Sequence, residues 1–161
     1  MTDSARASLY MDADEIARYL EAMRRVQVAT LNDDGSVHLV PMSYLMWEGH
    51  IGLWTDPRSH KVANLRRDPR ITVLIEDGER VQDFRALQIR GRAEIIDDPE
   101  RVRRAGEVLF ARYRPGGLDD ETRAQVAALV AVRVLVVIRR ESTISWDHAK
   151  LASGGLEEIG R

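Results

Sequence analysis

The sequence contains no cysteine, which excludes disulfide bonds, thiolate metal sites and a cysteine nucleophile. It also has no apolar run that approaches the roughly 20 residues of a membrane-spanning helix. The amino-terminal stretch has no apolar segment typical of a secretion signal. We therefore expect a cytoplasmic protein without a membrane partner.

Neither sign of charge dominates the composition. The 24 basic and 26 acidic residues give a net charge of −2, and the basic residues are dispersed among the acidic ones. A nucleic-acid-binding surface is therefore not expected. The motifs His-Glu-x-x-His and Gly-x-Ser-x-Gly are absent, so neither zinc catalysis nor serine hydrolysis is favoured, and no metal site is predicted.

The length and the 44% apolar content are typical of one globular domain. We predict a single domain over residues 1–161, with residues 1–10 as a loose leader and residues 152–161 as a loose tail. No internal repeat or low-complexity linker divides the chain.

The stretch from His38 to Arg67 has the clearest pattern in the chain. Its first part, up to Trp47, has the period-two apolar character of a strand, and the Gly49 turn leads into a return strand that ends at Thr55. An Asp-Pro pair then stops the sheet, and Ser59 is a suitable N-cap for a helix that runs to about residue 68. The pattern therefore predicts a β-hairpin followed by a short helix.

Groups that bind anions are concentrated at the start of that predicted helix. The first turn of a helix presents free N–H groups and the positive end of the dipole. Arg58, Ser59, His60 and Lys61 surround this point, and Asn64 shares a face with Lys61 one turn later. This set suits an aromatic ligand that carries a phosphate. The alternative is a surface helix whose basic residues are simply solvated.

Four residues of the hairpin region have more than one interpretation. Tyr44, Trp47 and Trp54 would wall an aromatic ring, or would be ordinary core residues. Pro41 cannot donate to a β-ladder, so it indicates an edge strand, a bulge, or backbone exposed for a ligand.

The rest of the chain alternates between apolar strands and amphipathic helices, and about six strands with three or four helices favour a small antiparallel barrel with flanking helices, α+β and mainly β. The predicted helices are residues 12–24, a helix that begins at Pro99 and is ended by residues 115–117, and Asp119 to Leu129; the predicted strands outside the hairpin are Val26 to Leu31, Ile71 to Ile75, Leu87 to Ile96 and Val132 to Ile138 with an extension to Ile144.

The order and spacing of these segments resemble the pyridoxamine 5′-phosphate oxidase-like split β-barrel family. The segments that carry the resemblance are the Asp34-Gly35 turn, the strand His38 to Tyr44, Leu53-Trp54-Thr55, and Ser59-His60-Lys61. The segment from Asn64 to Arg70 and the later Ser145-Trp146-Asp147-His148 are similar to the actinobacterial branch that binds the deazaflavin coenzyme F-420. The resemblance extends from about Ala13 to Leu151.

The resemblance implies a six-stranded antiparallel split barrel that holds a cofactor. The flavin ring would lie on the strand formed by His38, Leu39, Val40, Pro41, Met42 and Ser43, with Thr55 ending the next strand. Ser59 and Lys61 match phosphate-binding positions, whereas His60 stands where the oxidases have arginine. In the deazaflavin branch, Lys61 and Asn64 would contact the tail of the coenzyme. Coenzyme F-420 is therefore preferred, with FMN as the alternative.

The family resemblance also implies a homodimer with the cofactor at the subunit interface. Trp146 and His148 would then extend towards the site of the partner, or would serve as an interface anchor and an exposed residue. The implied activity is hydride transfer between the reduced coenzyme and a small organic substrate. His38, Tyr44 and His148 remain open as the general acid.

Two other functions remain open. One is an FMN-binding flavoprotein, although Leu151 to Arg161 lacks the Arg-x-His pattern of pyridoxamine phosphate oxidases. The other is a non-catalytic protein that binds the coenzyme or a tetrapyrrole such as haem or biliverdin.

Overall fold

One antiparallel sheet of seven strands organises the fold in the computed structural model, which describes residues 9–114 and 116–152. In chain order the elements are α1 (Ala13–Ala22), β1 (Arg25–Leu31), β2 (Val37–Ser43), β3 (Leu45–Trp47), β4 (His50–Thr55), α2 (His60–Arg67), β5 (Arg70–Asp77), β6 (Arg85–Ile96), α3 (Pro99–Tyr113), α4 (Asp120–Leu129), β7 (Val134–Asp147) and α5 (Ala149–Ala152). Short 3-10 helices at Val81–Asp83 and Val130–Val132 precede β6 and β7.

The two edge strands of the sheet are neighbours in the sequence. The strand order is β2-β1-β5-β6-β7-β4-β3, yet β2 ends at Ser43 and β3 begins at Leu45. Only Tyr44 connects the two edges. Because consecutive Cα atoms are about 3.8 Å apart, the sheet must curl until its edges approach each other. The result is an α+β split barrel, which confirms the predicted fold class.

Tyr44 fastens this junction to two helices. Its side chain is fully buried, and its hydroxyl donates a hydrogen bond to the carbonyl of Leu20 in α1 at 2.7 Å. Its backbone N–H donates to the hydroxyl of Tyr113, the last residue of α3, at 3.2 Å. The point at which the sheet changes edges is therefore held by α1 and α3 together.

Apolar residues pack on both faces of the curled sheet. The barrel interior contains Val28, Leu53 and Val73 among other buried aliphatic residues. A second cluster on the outside of β3, β4 and β7 is covered by α3 and α4 and includes Trp47 and Trp54. The continuous apolar run of β7 follows from this arrangement, because residues in its first half are buried on both faces.

The predicted helix starts are confirmed in the described residues. Asp12 and Glu15 form a capping box at the start of α1. Asp98 and Asp119 each accept a hydrogen bond from a first-turn backbone N–H, at the starts of α3 and α4. Of the helices that the structure describes, none has the length and apolarity to cross a membrane.

The structure corrects two predictions about strands. The sheet has seven strands rather than six, because the segment predicted as one strand up to Trp47 divides at Tyr44. Apolar residues continue on both sides of Tyr44, so no local signal marks the division. The last strand extends to Asp147, beyond the predicted extension to Ile144, so Trp146 belongs to β7. Its register against β6 explains the length, since the two strands pair from Ile96 to Arg85.

The loose ends are only partly covered by the described residues. Leu9 is buried, and its carbonyl accepts a hydrogen bond from the N–H of Asp147 at 2.9 Å, so the leader is fixed from this residue onward. The predictions for residues 1–8, for Pro115 as part of a helix stop, and for residues 153–161 lie outside the described residues.

Candidate functional site

The turn between β4 and α2 is closed by an Asp-Arg pair. Asp56 accepts hydrogen bonds from the backbone N–H of Arg58 at 2.7 Å and from its guanidinium at 3.2 and 3.1 Å. These contacts lower the pKa of the Asp56 carboxyl to about 2. Arg58 is well exposed, but its charge is already engaged with Asp56 and shapes the turn.

Ser59 occupies the N-cap position of α2, as predicted, but its side chain does not cap the helix. Its backbone is extended, with φ −66° and ψ 150°, and its side chain makes no capping hydrogen bond. The hydroxyl oxygen is buried and has no hydrogen-bond partner among the described residues. Because an unpartnered buried hydroxyl is costly, this oxygen is suited to a ligand at the helix start.

The rings of His38 and His60 are stacked. Their centroids are 5.0 Å apart and their planes differ by 15°. His38 comes from the edge strand β2, and His60 is the first residue of α2. The structure thus brings the predicted ring-binding strand and the predicted anion site into direct contact.

Lys61 is the half-buried cation of this cluster. Burial lowers the pKa of its amino group, and the charge of Asp56 acts in the opposite direction. Within the described part of the chain, no carboxylate lies within ion-pair distance of Lys61. A partly desolvated ammonium group without a counter-charge favours binding of an anion.

Asn64 serves the fold. Its side chain is 2% exposed, and its amide nitrogen donates to Thr30 Oγ1 at 3.1 Å and to Asn32 Oδ1 at 2.9 Å. Both of its amide protons are therefore used in fixing α2 on β1 and the following turn. Although it is one turn from Lys61, Asn64 faces the barrel, and both of its amide protons are engaged within the fold.

The strand predicted to carry the ring has two different sides. His38, Val40 and Met42 are half-buried, and the latter two pack against the barrel core. Pro41 and Ser43 are exposed on the other side. Pro41 lies on an edge strand, opposite Gln27 of β1. An edge strand is one of the positions expected for a residue without a backbone N–H.

The tryptophans of the hairpin match the core interpretation. Trp54 is 8% exposed, its indole N–H donates to the carbonyl of Val102 at 2.9 Å, and its ring meets the ring of Phe110 edge-on. Trp47 is in the same helix-covered cluster. Thr55, the last residue of β4, is also buried. The two tryptophans therefore pack against α3 and α4.

Trp146 and His148 lie at the end of β7 that is opposite its pairing with Thr55. Thr55 pairs with Val134 at one end of β7, whereas Trp146 stands twelve positions further along that strand (146 minus 134), a path of about 40 Å. His148 Nδ1 is 2.7 Å from the carbonyl oxygen of Val81, so this side chain is anchored.

A cleft on the outer face of the sheet was not predicted from the sequence. It encloses about 320 Å³ and is lined by Ala29, Thr30, Leu31, Val37, Arg70, Ile71, Thr72, Arg90, Gly91 and Glu141. The alternation of apolar and polar residues in β6 could have indicated a polar surface here. It places Arg90 and Arg92 on the face opposite the apolar residues. The cleft borders β2, whose other side carries the stacked histidines.

Comparisons with known proteins agree with this architecture. Residues 13–138 match the family model described as pyridoxamine 5′-phosphate oxidase. No curated protein matches the chain. Among solved structures, the conserved hypothetical protein Rv2991 from Mycobacterium tuberculosis shares 39% identity over 91% of each chain, with a TM-score of 0.87.

Two more distant structures have names that refer to a ligand. An F-420 reductase shares 25% identity over 75% of this chain and 89% of that chain, with a TM-score of 0.56. HutZ, the heme storage protein from Vibrio cholerae, shares 14% identity over 83% and 94% of the two chains, with a TM-score of 0.66, a level of identity that shows the fold alone. The family model covers most of the sequence, and the chain therefore belongs to the pyridoxamine 5′-phosphate oxidase family.

Proposed function

We propose that this protein is an oxidoreductase that uses the deazaflavin coenzyme F-420 and a small organic substrate. The observation that carries the proposal is the set of uncommitted polar groups at the start of α2, namely the buried Ser59 hydroxyl and the half-buried Lys61 ammonium. They adjoin the strand that family resemblance assigns to the ring.

The residues present fit a phosphate-bearing cofactor. Ser59, His60 and Lys61 would hold the phosphate together with the first N–H groups of α2, and β2 would support the ring along His38 to Ser43. Arg58 would add positive charge at the rim, although Asp56 already holds its guanidinium. Asn64 is left out of this contact set because Thr30 and Asn32 occupy its amide.

The choice of F-420 over FMN rests on position 60 and on one relative. An imidazole is a weaker phosphate partner at neutral pH than the bidentate guanidinium that the oxidases place there. The F-420 reductase among the similar structures also favours the deazaflavin. FMN remains the alternative cofactor. A haem or biliverdin-binding role is a second candidate, for which the exposed imidazole of His60 would offer a ligand.

When bound, the coenzyme would supply the hydride, and the protein would orient the ring and exclude water. Of the three residues considered as a general acid, Tyr44 is buried, and burial raises the pKa of its phenol to about 12. Its hydroxyl also donates a hydrogen bond to the carbonyl of Leu20. His148 is held near Val81. His38 is the residue that remains next to the proposed site.

We also propose a homodimer with the cofactor at the interface. The outward side chains of the edge strand β2 include Val37 and Leu39, which are 62% and 61% exposed. Exposed apolar residues on an edge strand favour association with another chain. A second copy would cover this face, and its Trp146 would approach the cofactor as the family resemblance implies.

The test is a fluorescence or absorbance titration of the purified protein with coenzyme F-420, FMN and haemin in parallel. Tight binding of F-420 alone, followed by turnover in a substrate screen, would support the proposal. Preference for FMN or haemin would replace it with the corresponding alternative. Binding of none of the three would overturn a cofactor role for this site.

Replacing Lys61 would test whether the coenzyme phosphate binds at the start of α2. Lys61→Ala should weaken F-420 binding by about tenfold to a hundredfold, the effect of losing one charge-assisted contact. Lys150→Ala is the matched control, because it removes the same charge from α5, where Lys150 pairs with Glu15 at 2.6 Å. An unchanged affinity of Lys61→Ala would place the anion elsewhere.

A further inference from the structure

The stacked histidines beside α2 could couple ligand binding to proton uptake, which the proposed function does not require. We propose that His38 and His60 form a proton-linked anion-recognition pair, so that a phosphate binds at the start of α2 with uptake of one proton. This inference rests on the proposed function for the location of the phosphate. It adds that recognition depends on pH.

The geometry permits one added charge but opposes two. At 5.0 Å between centroids and 15° between planes, the rings are close enough for two imidazolium charges to repel each other. Interacting sites of this kind titrate as a pair and take up their first proton more readily than their second. His60 is the exposed member and His38 the half-buried member, so solvation favours His60 as the carrier of the charge.

Charged groups lie near the pair on α2 and on the turn that precedes it. Lys61 adds a positive charge on the same helix, and Asp56 is neutralised by Arg58 across the preceding turn. From β1, Thr30 faces α2 with a hydroxyl that Asn64 already engages.

The remaining charged groups near α2 are more distant from His60. Arg67, at the other end of α2, lies near Asp33 of the β1–β2 turn. The charge of Arg133 reaches Asp56 from the segment before β7. A phosphate beside Ser59 and Lys61 would bring a negative charge next to His60, and a nearby negative charge favours the protonated imidazole.

Binding and protonation are therefore coupled. An imidazole that becomes protonated when the phosphate binds makes the affinity fall as pH rises, by up to tenfold per pH unit between the pKa values of the free and bound states. An arginine at this position would keep its charge throughout. His60 thus makes retention of the ligand sensitive to pH in the range where histidine titrates.

The first experiment uses inorganic phosphate as the probe and the imidazole proton resonances of the intact protein as the readout. The chain has four histidines, and His50 and His148 serve as internal references. We expect phosphate to raise the pKa of His60 and to leave the pKa of His148 unchanged. An unchanged pKa of His60 at saturating phosphate, or equal shifts at all four histidines, would overturn the inference.

The second experiment measures the affinity for coenzyme F-420 from pH 5.5 to 8.5 and the proton uptake by calorimetry in two buffers of different ionisation enthalpy. The wild type should lose affinity by about tenfold or more between pH 6 and pH 8. His60→Arg should bind with little dependence on pH, and His60→Gln should bind weakly at every pH. A His60→Arg variant with the wild-type pH profile would contradict the inference.

The two experiments separate this inference from the proposed function. If F-420 fails to bind at any pH while phosphate still shifts the pKa of His60, the proposed cofactor is wrong and the proton-linked pair is supported. If F-420 binds without proton uptake and phosphate leaves His60 unchanged, the cofactor proposal is supported and the proton-linked pair is wrong.

Discussion

At the scale of single residues, the start of α2 divides its polar side chains between two tasks. Asn64 is buried and fixes the helix on β1, whereas Ser59 and Lys61 have polar groups that no described residue engages as a hydrogen-bond or ion-pair partner. The sequence predicted all three as ligand-binding residues, because residue type and spacing do not reveal the direction of a side chain. The neighbours Thr30 and Asn32, 34 and 32 positions away, determine that direction.

Replacing Asn64 separates the two tasks. Asn64→Ala should lower the free energy of unfolding by about 2 kcal/mol, because it removes two hydrogen bonds and leaves the buried Thr30 hydroxyl with one partner fewer. Urea unfolding would measure this loss, and Arg66→Ala on the exposed side of the same helix should change it by less than about 0.5 kcal/mol.

Coenzyme affinity provides the complementary measurement for Asn64. Per folded molecule, Asn64→Ala should bind F-420 within about twofold of the wild type. A loss comparable with that expected of Lys61→Ala would return Asn64 to the binding site.

Two surface carboxylates predict the behaviour in acid. Arg58 lowers the pKa of Asp56, and Arg70 lowers the pKa of Asp68, in both cases to about 2. A carboxyl whose pKa is lower in the folded state stabilises the protein above its unfolded pKa of about 3.9 and loses that contribution as pH falls through its folded pKa. Stability should therefore decline between about pH 4 and pH 2.

Unfolding by urea at a series of pH values would measure this decline. Asp68→Asn should make the curve shallower in the acid range and leave its shape near neutral pH unchanged. An identical acid slope in wild type and variant would show that Asp68 does not contribute.

At the scale of elements, the sequence predicted the helix starts and the turns, because capping residues and turn residues mark them locally. The capping residues Asp12, Asp98 and Asp119 and the turns at Gly35 and Gly49 lie where the patterns placed them. The division of the second strand at Tyr44 and the full length of β7 were missed. Both depend on which strands become neighbours in the curled sheet, and periodicity along the chain contains no such information.

The contact of α3 with β4 and α4 leaves no room at Gly106. A Cβ atom there would lie 2.7 Å from Val126 Cγ1 and 2.9 Å from Trp54 Cζ2. Gly106→Ala should therefore lose about 1 kcal/mol of stability, because overpacking outweighs the gain in helix propensity.

A double-mutant cycle would test this explanation. Thermal or urea unfolding of Gly106→Ala, Val126→Ala and the double variant gives the coupling between the two positions. The double variant should be more stable than the sum of the single effects. Strict additivity would mean that Val126 does not cause the clash.

At the scale of the whole molecule, the proposed dimer can be tested through its apolar edge. Leu39→Glu should convert a species of twice the 18.3 kDa chain mass into a monomer in analytical ultracentrifugation, because it introduces charge into an apolar contact. It should also weaken F-420 binding if the site includes the partner.

Val81→Glu is the matched control for the dimer. Val81 is 79% exposed and lies in the 3-10 helix before β6, away from the edge strand. A dimer that survives Leu39→Glu, or one that dissociates equally in both variants, would exclude β2 as the contact.

The junction at Tyr44 has a consequence for the order of assembly during synthesis. The two hairpins β1–β2 and β3–β4 are complete once residue 55 has been made, but in the sheet they are separated by β5, β6 and β7. The three strands that separate them are made later, so these strands have to take their places between two segments that are joined at a single residue. Long-range pairing of this kind is slow to form. In an emerging chain, the sheet would stay open between the two hairpins until the strand Val134–Asp147 has been made and completes it.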